Sequence, residues 1–136
     1  RRSLENPLLW ILHVGHAWLA VGLVLRAVLV AFPSLPSAIA THAITVGALG
    51  SLTIGMMARV SLGHTGRLLV ASRATEWAFS LMLAAAFARV ALPVLSPAAY
   101  AASLTVAGGL WSAAFAMFVV AYSRVLTSPR VDGRAG

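Results

Sequence analysis

The sequence predicts an all-α, polytopic membrane protein, four transmembrane helices in an antiparallel, up-down bundle. Three observations predict it. The 136-residue chain is 60% hydrophobic and only 10% charged, with a mean hydropathy of +0.92, more apolar than a soluble domain can hide. Crossing a hydrocarbon layer of ~30 Å at ~1.5 Å per residue takes about 20 apolar residues, and four such segments fit, at residues 7–32, 37–58, 70–92 and 97–122. The connections between them are short, which makes consecutive helices antiparallel neighbours within one membrane domain.

Each span has its own start and stop signals. Asn6 followed by Pro7 is a good helix start, with Asn as N-cap and Pro at the first helical position. The first span carries Trp10, His13, His16, Trp18 and Arg26. An uncharged turn from Pro33 to Pro36 follows, and Ser37 is placed to cap the second span. Residues 59–69 form the middle connection, interrupted by Gly63 and Gly66. The third span holds Glu76, Trp77 and Arg89 and is expected to stop at Pro93. A second uncharged turn leads to Pro97, which starts the fourth span. The tail from Ser123 is polar and Arg-rich, and it is expected to fray.

All ten basic residues are arginine, against Glu5, Glu76 and Asp132, for a net charge of +7. They are interspersed with apolar segments and show no basic-aromatic surface pattern, so nucleic acid is not the expected partner. Topology accounts for them instead. Arg1, Arg2, Arg59, Arg67, Arg73, Arg124, Arg130 and Arg134 fall on the side shared by both termini and the middle connection, and the two opposite turns hold none. The positive-inside rule then puts the termini in the cytoplasm, with the bilayer as the protein's solvent. The chain has no cysteine, which excludes disulfides, thiolate metal sites and Cys-attached haem. The first span is too long for a signal-peptide core and lacks a cleavage site. With Arg1 in first place, the chain reads as a fragment of a longer protein, whose N-terminal part is an expected partner.

Small residues recur every four positions in the second span, at Ala43, Gly47, Ser51 and Gly55, and again in the fourth, at Ala101, Thr105, Gly109 and Ala113. Such stripes let helix backbones approach closely in lipid. They also suit a flat cofactor lying on a glycine face.

Ionisable side chains inside spans cost about 2.5–3.5 kcal/mol for Arg at mid-membrane and so need a partner or a purpose. Depth sorts them into two groups. Near the outer ends lie Arg26, His42 and Arg89. Arg26 and His42 sit at nearly equal depth on antiparallel spans and are expected to share a site. A histidine beside two arginines suits an axial haem ligand with guanidinium groups on the propionates. It equally suits snorkelling arginines and a hydrogen-bonded interhelical His. Near the cytoplasmic ends lie His13 and His16, one turn apart, with Glu76 at similar depth and His64 in the adjoining connection. Three imidazoles and a carboxylate can make a copper or zinc site. The alternative is a Glu76 ion pair with Arg73 or Arg59 and hydrogen-bonded histidines. Gly63-His64-Thr65-Gly66, between Arg59 and Arg67, reads as a tight loop presenting His64, or as a headgroup-binding loop. Met56 and Met57 are available soft ligands, or plain packing. His42 and His64 are too far apart to hold one atom.

At this point the residues resemble a known family. His42-Ala-Ile-Thr45-Val-Gly47-Ala48, then Arg59-Val-Ser-Leu62-Gly63-His64-Thr65-Gly66-Arg67, together with Leu12-His13-Val14-Gly15, is similar to the C-terminal part of the NnrS family. The likeness is specific through Arg67 and is one of hydropathy beyond it. The resemblance implies a bacterial inner-membrane protein with haem and copper, associated with denitrification and relief from nitric oxide. It carries over to His13, His42, Arg59, His64 and Arg67 as cofactor-related positions. His16 departs from the pattern, where an aromatic is expected, and Leu68 stands where a Pro often follows. On this basis His42 is expected to ligate haem b, with Arg26 and Arg89 near the propionates, while His13 and His64, with His16 and Glu76 nearby, serve a second metal. A competing reading is a cofactor-free transport or scaffold module with a polar His/Arg/Glu path.

Overall fold

A computed structural model describes residues 5–33 and 36–133. Arg1, Arg2, Arg134 and the middle of the first turn, Ser34 and Leu35, lie outside the described residues. Helix α1 is Pro7–Ala31, α2 is Ala38–His64, α3 is Arg73–Leu95 and α4 is Tyr100–Thr127, the last preceded by a single 3₁₀ turn over Pro97–Ala99. All four are long and apolar enough to cross a membrane, and there is no strand among the described residues.

Each helix lies beside the next in sequence, and the α1–α2 and α3–α4 pairs make the most extensive contacts. The second half of α2 also reaches α4. Helix α1 meets α3 edge-on through aromatic rings, Trp10 on Phe79 at 6.0 Å and Trp18 on Phe87 at 5.0 Å. The core between the helices is made by Leu8, Ile11, Ile54, Phe79 and Met82, all fully buried.

The stripe on α2 does what its spacing predicts: Ala43, Gly47, Ser51 and Gly55 are all buried. Without side chains in the way, Trp18 fills the space over Gly47 and Ile11 the space over Gly55. The stripe on α4 does not. Ala101, Thr105, Gly109 and Ala113 are exposed, and α4 instead buries Ser103, Ala107, Ala114, Phe118 and Tyr122. Larger side chains toward the C-terminal end of α4 give more apolar area to bury against α3, so they set the helix rotation.

Several boundaries shift from expectation. Asn6 caps α1 as predicted, its Oδ1 accepting from the Leu8 N–H at 3.0 Å, but Ser37 makes no side-chain cap. Helix α2 runs through residue 58 to His64, because Gly63 is tolerated inside its last turn. It stops at Gly66, whose φ is +71°, where the Gly66 N–H bonds to the Gly63 carbonyl and the Arg67 N–H to the Leu62 carbonyl. That pair of bonds is a Schellman stop. The middle connection therefore shrinks to 65–72. Helix α3 begins at Arg73 rather than residue 70, since Ser72 Oγ accepts from the Thr75 N–H at 3.2 Å. It passes through Pro93 to Leu95. Proline there lacks the N–H that would bond to the Arg89 carbonyl, but the turn after it closes with Ser96 N–H to Leu92 O at 3.0 Å. Helix α4 continues beyond residue 122 to Thr127, and the tail behind it folds back, with the Val131 N–H bonded to the Thr65 carbonyl at 3.2 Å.

Candidate functional site at the turn end of the bundle

Arg89 is the best-connected polar side chain among the described residues. It stands one turn before Pro93 on α3 and is 5% exposed. Its Nη1 donates to Ser103 Oγ at 3.1 Å, and its Nη2 to His42 Nε2 at 2.7 Å and to the Tyr100 hydroxyl at 3.3 Å. The guanidinium carbon also lies 5.0 Å from the centre of the Tyr100 ring, a cation–π contact. Ser103 Oγ in turn donates to the Tyr100 carbonyl at 2.7 Å. Since arginine keeps all its protons and only donates, His42 accepts through Nε2 and holds any proton of the neutral ring on Nδ1.

His42 is half-buried and ends the first α-helical part of α2. The next seven residues, Ala43–Leu49, are π-helical. Thr45 Oγ1 donates to the Thr41 carbonyl at 2.9 Å across this transition. A π segment offsets the residues on either side of it around the helix axis, and such segments recur at functional sites. His42 and Arg89 together border a groove of about 280 Å³ whose other walls are Val46 on α2 and Leu104, Ala107, Gly108, Trp111 and Ser112 on α4. A side chain on Gly108 would meet no atom within 4 Å, so the groove has open space along that wall. One end of the groove is cationic and hydrogen-bonding; apart from Ser112 the rest is apolar.

Arg26 does not join this site. It is exposed, forms no hydrogen bond or ion pair among the described residues and is not part of the groove. Equal depth is not equal azimuth: Arg26 stands on an exposed face of α1, away from the α2–α4 groove. Ser103 and Tyr100 were not singled out from sequence. The antiparallel register of α3 and α4 about the 93–97 turn holds the signal, since it brings the start of α4 level with Arg89.

The opposite end of the bundle is held by different contacts. Arg67 Nη1 donates to the Val125 carbonyl at 3.3 Å, tying the middle connection to α4. Thr65 Oγ1 donates to the Ser61 carbonyl at 2.7 Å. Asp132 lies over Gly66 and pairs with Arg130 at 2.6 Å; that carboxylate keeps Arg130 above its already high pKa, chiefly by accepting its hydrogen bonds. His64 is the last residue of α2 and is exposed, so it is helix-borne and not presented by a tight loop. His13 and His16 are exposed on α1, their Nδ1 atoms donating to the Leu9 and Leu12 carbonyls at 2.9 and 2.7 Å. Glu76 is exposed and forms no ion pair among the described residues, and Arg59 is half-buried. No three His, Asp or Glu side chains converge among the described residues, so His13, His16, His64 and Glu76 do not form one metal site. Met56 and Met57 are exposed at the bundle surface.

A family model described as NnrS protein matches residues 1–130. The chain belongs to the NnrS family. The match runs well past Arg67, where motif-level likeness ends, so α3 and α4, and with them Arg89, Tyr100 and Ser103, lie inside the region the NnrS family shares. Comparison with curated proteins and with solved structures gave no match.

Proposed function

We propose that this NnrS-family protein holds haem b in the bacterial inner membrane, termini on the cytoplasmic side, and protects the cell from nitric oxide in denitrification-linked metabolism. The observation that carries the reading is the pairing of a half-buried imidazole with a buried guanidinium at one end of a groove whose other walls are apolar except for Ser112. Those residues would fit haem by their chemistry: an imidazole nitrogen for the iron, arginine for a carboxylate, and apolar walls with a glycine for a flat ring. Haem bound there would supply an iron atom able to take up nitric oxide or pass an electron. For this chain's own residues the tasks are narrower. His42 supplies the nitrogen, Arg89 neutralises and orients a carboxylate, Ser103 and Tyr100 hold Arg89 in place, and Val46, Leu104 and Trp111 exclude water.

Copper fits the described residues poorly, because no three potential ligands converge. Its ligands would have to include groups outside the described residues, with His13 and His64 as this chain's contributions. A cofactor-free polar path has less support. Between the two polar ends the bundle is filled by Ile54, Phe79, Met82, Ala85 and Ala86, and all of them are fully buried.

Visible spectra of the detergent-purified protein, oxidised and dithionite-reduced, together with metal analysis, test the reading. A Soret band that His42→Ala abolishes or shifts, and His16→Ala leaves alone, is the expected result. Lack of a Soret band after expression with ample haem would overturn it. The cellular role predicts that deleting the gene sensitises growth to a nitric oxide donor, and unchanged growth would remove that part.

A further inference from the structure

Arg89 is a buried cation for which this chain supplies no counter-charge. Its partners, Ser103, Tyr100 and His42, are all neutral acceptors. The sequence has only three acidic residues. Glu76 lies thirteen residues away along the same helix, ~20 Å at helical rise. Asp132 pairs with Arg130 at the other end of the bundle, and Glu5 precedes α1 at that same end. A guanidinium buried to this degree ordinarily has a carboxylate or phosphate partner. Here the partner position opens onto a groove with one cationic end and an apolar length.

A second feature makes this more than a charge looking for a partner. The lone pair through which His42 would coordinate a metal, on Nε2, is the one that Arg89 Nη2 occupies at 2.7 Å. As the side chains stand, the imidazole cannot ligate. Whatever draws the guanidinium off His42 makes it a ligand, and a carboxylate competes for that N–H better than a neutral imidazole does, because charge-assisted bonds are about twice as strong.

We propose that the α2–α4 groove receives an apolar molecule headed by a carboxylate, and that the carboxylate taken by Arg89 is what frees His42 Nε2 to coordinate. The pair is a latch: occupancy of the anion site and availability of the imidazole are one event. This rests on the haem reading for the identity of the metal, though not for the carboxylate preference. The carboxylate belongs either to a tetrapyrrole propionate or to a fatty acid, and the arms of the experiment separate the two.

The full chain in neutral detergent is titrated with ferric haem, with metal-free protoporphyrin and with the dimethyl ester of each, and protoporphyrin is competed with palmitate. Both free acids bind tighter than their esters by about tenfold or more, the range of a charged hydrogen bond. His42→Ala keeps the protoporphyrin preference, whereas Arg89→Met erases it. The latch adds a result of opposite sign. In the wild type, ester haem shows no His42 ligation in its Soret and electron paramagnetic resonance spectra, and Arg89→Met, by removing the donor, restores it. Displacement by palmitate supports a groove open to any carboxylate amphiphile; no displacement supports one restricted to propionates. If acids and esters bind equally and both ligate through His42 in the wild type, the proposal is overturned while the haem reading survives. If protoporphyrin shows the preference but haem never ligates through His42, the haem reading and the latch fall and the carboxylate site stands. The wild-type arms need no variant, and Arg89→Gln, which can still bond to Ser103, serves where Arg89→Met fails to fold.

Discussion

Trp18 of α1 lies over Gly47 of α2, so close that a methyl group on Gly47 would come within 2.6 Å of the indole Cδ2. The indole is itself buried and meets Phe87 of α3 edge-on. Gly47, with Gly15, Gly22 and Gly55, therefore lets α1 and α2 approach closely, and it alone seats the ring that reaches α3.

Gly47→Ala should separate these helices, because Trp18 cannot move without giving up its contact with Phe87. Overpacking of this kind costs about 1–3 kcal/mol. Gly108→Ala, at a position with nothing within 4 Å, is the matched control and should be neutral. Thermal or denaturant unfolding in detergent distinguishes them, and equal behaviour of the two variants would show that the close approach is not what holds α1.

How far the fold was legible follows from the same residues. Hydropathy gave four spans, and the four-residue spacing of Ala43, Gly47, Ser51 and Gly55 gave the buried face of α2, because in lipid close packing needs small side chains and the pattern has few other uses. The same spacing misled in α4, where Phe118 and Tyr122 outweigh it. Helix ends were harder. Gly63 and Gly66 look alike in sequence, and only Gly66 adopts positive φ. At the site, the pairing of His42 with Arg89 followed from depth alone, but depth carries no azimuth and so admitted Arg26 as well. The π-helical turn after His42 has no sequence signature that we can identify.

Thr75 Oγ1 and the Tyr122 hydroxyl are 3.2 Å apart in the core between α3 and α4. Losing Thr75 strands the Tyr122 hydroxyl, whereas losing Tyr122 leaves Thr75 Oγ1 its bond to Ser72 Oγ. Thr75→Val and Tyr122→Phe should each destabilise by about 1–2 kcal/mol. Ser72 also bonds to Thr75, so the loss at Thr75 should be the larger. The double variant should cost less than the sum, since no orphan remains. A double-mutant cycle on unfolding free energy measures this, and strict additivity would mean the two hydroxyls are not coupled.

Gly66 combines φ of +71° with a carboxylate directly above it, Asp132 Cγ lying 2.7 Å from where a Cβ would sit. Gly66→Ala should therefore do two things. It strains the Schellman stop by about 1 kcal/mol, and it lifts the tail off the end of α2. Limited proteolysis should then cleave around residues 128–133 faster than in the wild type. Asp132→Ala should speed cleavage as well, but without the stability loss. Unchanged cleavage in both would show that the tail is not held there.

Ser51 gives a prediction of the opposite sign. Its Oγ is fully buried in the small-residue face of α2 and has no hydrogen-bond partner among the described residues. A hydroxyl left without a partner in an apolar interior costs about 1–3 kcal/mol by protein mutational measures. Ser51→Ala removes the oxygen and keeps the small volume that close helix packing requires, so it should raise stability or leave it unchanged, unlike most substitutions at fully buried sites. Ser51→Val, which adds volume at the same position, should destabilise. Unfolding of the two variants in the same detergent separates the effects. A clear loss of stability in Ser51→Ala would mean the hydroxyl has a partner in the membrane-embedded protein, with a bound water or a group from another segment as the first place to look.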